Sequence, residues 1–315
     1  MSLVINHNMM AMNAARNLGA SYAQLSTSTR RLSSGLRVSV AADDAAGLAI
    51  REIMRSEISS LNQGIRNAND AISMVQTADG ALQVIDEKLI RMKELAMQAS
   101  TGTYTSDQRL IIDSEFQAMA SEITRIAAST DFNGIYLLNG HLHGVTSEHN
   151  GSGLQPSGPL KIHFGTGNDS AEDYYYISIN GATASALGLG HAAARRDYYQ
   201  GRAITASNAY AAYAGQSIST QALAQVTLSV ISEAIVSKDK IRANLGAIQN
   251  RLQNTITNLG IQAENLQAAE SRISDVDVAT EMTQFVRQQI LTQSAVAMLA
   301  QANSLPRMAM QLIGA

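Results

Sequence analysis

Two histidines separated by a single residue, His141 and His143, are the side chains best placed to start a metal site. On a β-strand such a pair would point both imidazoles to one face, which is how a metal site can begin. A metal also needs further ligands and a fixed second shell, and a glycine-rich loop supplies neither. We therefore interpret both as solvated loop histidines, and we expect no metal and no cofactor.

Carboxylates and glycine loops that could support catalysis have simpler structural interpretations. Asp43 and Asp44 are adjacent, so on a helix they would point about 100° apart and would not face each other. They precede an alanine-rich segment, where negative charge favours a helix N-terminus. Residues 165–169 (GTGND) lack the third glycine of a dinucleotide-binding loop, and we interpret them as a turn between two strands.

Complete catalytic motifs are also missing from the sequence. The chain has no cysteine, which excludes a thiol nucleophile and a Cys-ligated metal. It contains no His-Glu-x-x-His, Gly-x-Ser-x-Gly or Gly-x-x-x-x-Gly-Lys motif. We therefore expect that the protein is not an enzyme.

Charge is distributed unevenly along the chain. All 26 acidic residues lie between Asp43 and Glu281, although the net charge is only −3. A nucleic-acid interface would need clustered basic residues with aromatic ones, but the tyrosines at 174–176 follow two acids. No stretch approaches the roughly 18 apolar residues of a membrane span. We expect neither nucleic acid nor a membrane as a partner, and any export to proceed without an ordinary cleaved signal.

The strongest periodic signal is a seven-residue repeat of leucine and isoleucine. Because 45% of residues are hydrophobic and only 4% are aromatic, the core must come from aliphatic helix packing. Alternating steps of three and four residues over several heptads are typical of a coiled coil. The predicted coiled-coil seam comprises Ile58, Ile65, Ile72, Leu82, Leu89, Ile241, Leu245, Ile248, Leu252, Leu259, Leu266 and Ile273. Each half of this seam needs a partner surface.

Shorter apolar rows lie near both ends of the chain. They consist of Leu18, Leu25 and Leu32 near the start, and of Val286, Ile290 and Leu299 near the end. A single short amphipathic helix is only marginally stable in water. We therefore expect these terminal assembly helices to pair with each other or with other subunits.

The middle of the chain is richer in glycine and contains four Asn-Gly dipeptides. Asn-Gly is the preferred pair in the type I′ turns of β-hairpins. Short runs suited to strands lie at 135–138, 160–164 and 174–179. The predicted fold is therefore mainly α, with long paired coiled-coil-like helices from both chain ends and a small central β-hairpin region.

Several specific motifs in the sequence resemble those of bacterial flagellins. They lie at residues 31–37 (RLSSGLR), 41–50 (AADDAAGLAI), 66–73 (RNANDAIS), 77–82 (TADGAL) and 265–273 (NLQAAESRI). The resemblance covers roughly residues 1–140 and 217–315. It implies a structural subunit that polymerises through its terminal helices into the bacterial flagellar filament, for swimming motility.

The resemblance also implies a domain organisation to which both chain ends contribute. The inner tube would comprise residues 1–43 and 271–315, and the helical shell would comprise 44–190, with a β region at 131–190, together with 217–270. Residues 191–216 would form a short variable surface insertion.

Location and partners follow from the same resemblance. The expected location is the extracellular bacterial flagellum, reached by type III export. The expected partners are further copies of the chain, a flagellar export chaperone, the cap protein and the hook-associated junction protein. The alternative is that the chain is itself a hook–filament junction protein of the same family.

A second role implied by the resemblance is that of a ligand for the innate immune receptor Toll-like receptor 5. Many flagellins are recognised through an Arg and a Leu on one helix and a Glu on the next. The matching residues are Arg91 and Leu95, four positions apart on one helix face, and Glu115. These three residues form the predicted receptor-recognition site.

Overall fold

The computed structural model describes residues 8–140, 142, 158–169, 172–189 and 217–313. These residues form five helices: α1 (Met9–Ser34), α2 (Ala45–Ser100), α3 (Ser106–Ser129), α4 (Gln221–Ser274) and α5 (Val278–Ile313). They also form two antiparallel hairpins, in which β1 (Asp131–Phe132) pairs with β2 (Ile135–Tyr136) and β3 (Leu160–His163) pairs with β4 (Tyr174–Ile177). The predicted fold class is confirmed. His141, His143 and the predicted insertion 191–216 lie outside the described residues.

The described residues divide into two compact units. The first unit combines the residues up to Ser59 with those from Gln262 onward, so it contains α1 and α5. The second unit lies between Ser60 and Ile261 and contains α3 and both hairpins. The domain boundaries expected at residues 43 and 271 stay predictions.

The core of the second unit is aliphatic, as the composition requires. Leu82 and Leu89 of α2, Leu245 and Leu252 of α4 and Phe116 of α3 belong to one cluster of buried side chains. Each of these residues is at most 1% exposed. Burying a side chain of this size contributes about 1.5–3 kcal/mol relative to leaving it in water, so this cluster is a main source of stability.

The β1–β2 hairpin turns at Asn133-Gly134, one of the predicted Asn-Gly turns. Both residues have positive φ, at 52° and 79°, which is the conformation that a type I′ turn requires. The Gly134 N–H also donates to the Asp131 carboxylate at 3.1 Å. Directly after the hairpin, Leu137 and Leu138 are fully buried and anchor it to the core.

The β3–β4 hairpin packs closely against α2. The Asn67 side chain donates to the His163 carbonyl at 2.8 Å. At Gly64, an added Cβ would lie 2.0 Å from the Phe164 carbonyl oxygen, so glycine is required for this approach. Residues 165–169 lie between the two strands, as predicted, and there the Gly167 N–H donates to the Asp173 carboxylate at 3.2 Å.

Candidate assembly surface on the terminal helices

Both terminal helices begin at a residue whose side chain caps the first turn. The Asn8 side chain accepts from the Ala11 N–H at 3.1 Å, at the start of α1. The Asp277 carboxylate accepts from the Ala279 N–H at 3.0 Å, at the start of α5. Hydrogen bonds from the Thr280 hydroxyl and from backbone N–H groups hold the pKa of Asp277 below its ordinary value. Charged or polar caps of this kind fix where each helix starts.

Helices α1 and α5 pack against each other in antiparallel fashion. Three polar contacts mark the register: Asn8 Nδ2 donates to the Ala302 carbonyl at 2.8 Å, the Gln288 amide donates to Gln24, and Arg31 lies 3.8 Å from Glu281. From Asn8 to Gln24 to Arg31, the contacted residue on α5 changes from Ala302 to Gln288 to Glu281, so the two helices run in opposite directions. The pairing predicted between the two chain ends is therefore present within one chain.

The side chains that this pair buries most fully are small or polar. Among the described side chains of α1 and α5, the buried ones are Ser28, Glu281, Thr292 and Ala302. The predicted residues Leu18, Leu25, Leu32 and Leu299 are half-buried. The contact between α1 and α5 thus uses little of the apolar surface that the two helices carry.

Most of the large apolar side chains of α5 remain exposed. Val278, Met282, Val286, Ile290, Leu291, Val296, Met298 and Met308 are between 45% and 62% exposed. Because Ile290 and its neighbour Leu291 point about 100° apart, the exposed surface is not confined to one stripe. A helix that is apolar on several sides is normally buried on several sides, and contiguous exposed apolar surface marks an interaction site. We call this set, together with the exposed Met9, Met10, Met12 and Tyr22 of α1, the terminal apolar surface.

In the first unit, the segment that follows α1 is joined by backbone hydrogen bonds to the short segment between α4 and α5. Leu36 forms an antiparallel bridge with Asp275, beside which the Arg37 N–H donates to the Ser274 carbonyl at 2.6 Å. The Val276 N–H donates to the Gly35 carbonyl at 3.0 Å. The sequence did not predict this backbone pairing, because the two segments lie more than two hundred residues apart and each is short and irregular.

Asp43 and Asp44 lie at the N-terminus of α2, where the sequence predicts negative charge. The Asp44 carboxylate accepts from the Gly47 N–H at 2.9 Å. Asp43 accepts from the Arg30 guanidinium at 2.8 Å and from the backbone N–H groups of Ser39 and Val40. Partial desolvation raises the pKa of the Asp43 carboxyl, but these backbone and guanidinium donors outweigh it and hold the pKa below its ordinary value. Both carboxylates therefore have structural partners.

None of the twelve predicted seam residues is exposed. The fully or nearly buried ones are Leu82, Leu89, Ile241, Leu245, Leu252 and Leu259. The half-buried ones are Ile58, Ile65, Ile72, Ile248, Leu266 and Ile273. Of these, Ile72 and Ile248 pack against the main cluster of the second unit.

Two of the three predicted receptor-recognition residues meet on the surface of the second unit. Arg91 Nη2 of α2 lies 2.8 Å from Glu115 Oε1 of α3, and both side chains are nearly half exposed. Hydrogen bonds from the guanidinium to Glu115 and Glu94 raise the pKa of Arg91. Leu95 is only 1% exposed, so it packs in the core beneath this pair and is not part of the surface.

Two other kinds of site, a metal centre and a bilayer-spanning helix, are not found in the described ranges. Within them, no group of three or more His, Asp or Glu side chains is placed to hold a metal ion. None of the helices in the same ranges combines the length and the apolar content of a bilayer-spanning segment.

Comparison with known proteins shows which family carries this arrangement. The family model for the bacterial flagellin N-terminal helical region matches residues 5–142, and the model for the C-terminal helical region matches residues 228–313. The chain therefore belongs to the bacterial flagellin family, a family of structural proteins.

Individual relatives span nearly the whole chain. The flagellar filament 33 kDa core protein of Treponema phagedenis is 38% identical over 311 residues, which cover 99% of this chain and 100% of that protein. The flagellin of Bacillus subtilis strain 168 is 39% identical over 311 residues, covering 98% and 99%. A putative flagellar hook-associated protein from Vibrio parahaemolyticus shares the fold, with a TM-score of 0.53 and 15% identity over 74% of this chain and 100% of its own.

Proposed function

We propose that this chain is the structural subunit of an extracellular bacterial flagellar filament, and that it polymerises through its terminal helices. The observation that carries the proposal is the terminal apolar surface, above all the exposed side chains of α5. Helix α1 covers one side of α5 with small and polar contacts, which leaves the apolar side chains free to pack against other copies. The names of the relatives from Treponema phagedenis and Bacillus subtilis support the same assignment.

The energetic reason for polymerisation is the burial of this surface. Removing apolar area from water contributes about 25 cal/mol per Å², or about 1.5–3 kcal/mol for a large side chain taken from full exposure to full burial. Val286, Ile290 and Leu291 are each about half exposed, so each retains a substantial part of that amount in the single chain. Neighbouring copies would recover it, and the terminal helices would gain stability on assembly.

The low density of charge at the same ends is compatible with close packing of many copies. Residues before Asp43 contain four Arg and those after Glu281 contain two, with no Asp, Glu or Lys in either segment, so tight packing would bring few charged side chains together. Crowded like charges that lose their water would be costly. The same proposal includes type III export, and as partners an export chaperone, the cap protein and the hook-associated junction protein.

Seeded growth tests the proposal directly. Full-length protein is added to filament fragments and examined by negative-stain electron microscopy, beside a chain that lacks residues 1–40 and 285–315. We expect long tubes from the full chain and none from the truncated one. Ile290→Gln should impair growth, whereas the adjacent exposed Gln289→Ala should not. Short stubs from the full chain would favour the junction-protein alternative, and a persistent monomer would refute assembly.

We also propose recognition by Toll-like receptor 5 through the surface formed by Arg91 and Glu115. Their ion pair presents a charged patch across two helices, and Leu95, four residues after Arg91, belongs to the buried cluster of the second unit. In a receptor reporter assay, Arg91→Ala with Glu115→Ala should lower signalling. The matched control is Arg125→Ala with Glu122→Ala, which removes another surface ion pair (2.6 Å) on α3. If both double variants signal as strongly as the parent, recognition through Arg91 and Glu115 is refuted.

A further inference from the structure

Exposed methionines are concentrated on the terminal helices. Among the described side chains, the exposed methionines are Met9, Met10 and Met12 of α1, Met97 of α2, and Met282, Met298 and Met308 of α5. In contrast, Met74 and Met92 of α2 are only 2% and 0% exposed. Six of the seven exposed thioethers therefore belong to the surface that we propose for assembly.

Four of these methionines share one end of the α1–α5 pair. The hydrogen bond from Asn8 to the Ala302 carbonyl places the first turn of α1 beside that part of α5. Met9, Met10 and Met12 follow Asn8 directly, and Met298 lies one helical turn before Ala302. Their side chains are 47–62% exposed, and we call them the methionine cluster.

We infer that the methionine cluster is an oxidation site, at which a hydroperoxide converts free subunits into a form that assembles more weakly. In each event the thioether sulfur attacks one peroxide oxygen, an S–O bond forms and the O–O bond breaks. The sulfur is oxidised by two electrons to the sulfoxide, and hydrogen peroxide is reduced to water. Methionine sulfoxide reductases reverse the reaction.

The physical consequence follows from the change in the side chain. Oxidation turns a flexible apolar group into a polar one with a strong acceptor oxygen, which disrupts methionine-rich interfaces. Because the chain has no cysteine, no thiol competes for the oxidant. In a completed filament, packing would shield the same sulfur atoms, so oxidation would act on free subunits. This inference rests on the proposed assembly through the terminal helices.

The experiment combines site-resolved oxidation with seeded growth of the full-length protein. Subunits are treated with hydrogen peroxide, the oxidant is removed, and growth on untreated filament fragments is followed by microscopy and sedimentation. We expect the concentration of subunits needed for growth to rise roughly tenfold or more, and treatment with both classes of sulfoxide reductase to restore it. Peptide mass spectrometry should show slower oxidation of the methionine cluster in filaments than in subunits.

Two variants assign the effect to particular sulfur atoms. The quadruple variant Met9→Leu, Met10→Leu, Met12→Leu, Met298→Leu keeps the apolar volume. Compared with its own untreated growth, it should lose a clearly smaller factor on peroxide treatment than the parent does, the remainder coming from the exposed Met282 and Met308. The control Met97→Leu removes an exposed methionine from the second unit and should remain as sensitive as the parent.

Each outcome separates this inference from the proposed function. If untreated subunits fail to grow on fragments, the proposed function fails and the inference with it. If untreated subunits grow and oxidised ones grow equally well, only the inference fails. A loss of growth in the oxidised quadruple variant as large as that in the oxidised parent, or equal oxidation in filaments and subunits, would also overturn it.

Discussion

Replacing Gly64 by alanine should destabilise the second unit, although alanine is the better helix former. In the interior of a helix, glycine to alanine gains about 1 kcal/mol. At Gly64 the added Cβ would lie 2.0 Å from the carbonyl oxygen of Phe164, and this neighbour is backbone rather than a flexible side-chain end. Overpacking of this kind costs about 1–3 kcal/mol, and displacing the hairpin also endangers the hydrogen bond from Asn67 to His163. Overpacking alone therefore leaves a net loss of up to about 2 kcal/mol, and weakening of the hydrogen bond adds to it.

Gly80→Ala is the matched control in the same helix. An added Cβ at Gly80 meets no atom within 4 Å, so this variant should gain up to about 1 kcal/mol. Urea unfolding followed by far-UV circular dichroism measures both changes. A loss of about 2 kcal/mol for Gly64→Ala corresponds to a fall in Tm of roughly 4–8 °C for a unit of this size.

Hydrogen exchange locates the effect of the Gly64 substitution. We expect faster exchange at the backbone amides of β3 and β4, since the hairpin must move away from α2. Equal stability of Gly64→Ala and Gly80→Ala, with unchanged exchange in the hairpin, would refute the proposed close approach.

Two further predictions concern ion pairs. Because the pKa of Asp43 is lowered in the folded chain, its stabilisation is present above the ordinary pKa of an aspartate and is lost as the pH falls through the folded value. At neutral pH, Asp43→Asn should therefore unfold at a lower urea concentration than the parent. In acid, the unfolding midpoints of the two proteins should converge. A difference in midpoint that does not change with pH would contradict this role of the Asp43 carboxylate. In the second unit, the Lys238 side chain is 2% exposed, and its Nζ lies 2.6 Å from Asp86 and 2.7 Å from the more exposed Asp239. Asp86→Ala should destabilise by about 1–3 kcal/mol and by more than Lys238→Met, which removes the buried charge itself; the reverse order in urea unfolding would contradict this reasoning.

Some features of this chain were determined by the sequence alone, because they depend on local periodicity. The heptad rows placed all twelve seam residues on unexposed faces, since the period of a helix fixes which side chains share a face. Asn133-Gly134 specified its turn because both residues tolerate positive φ. The flagellin-like motifs could also be recognised from the sequence alone, and membership of the flagellin family is confirmed.

Tertiary structure decided which of several equivalent faces is covered, and by what. Arg91 and Leu95 are four residues apart and differ by only about 40° around the helix axis, yet one is exposed and the other is buried, because α2 packs on one side only. Val286 and Ile290 had the spacing of a packing row, but the pair with α1 leaves them exposed. The bridge from Leu36 to Asp275 joins segments that no local pattern connects, since it depends on where two distant helix breaks meet in space.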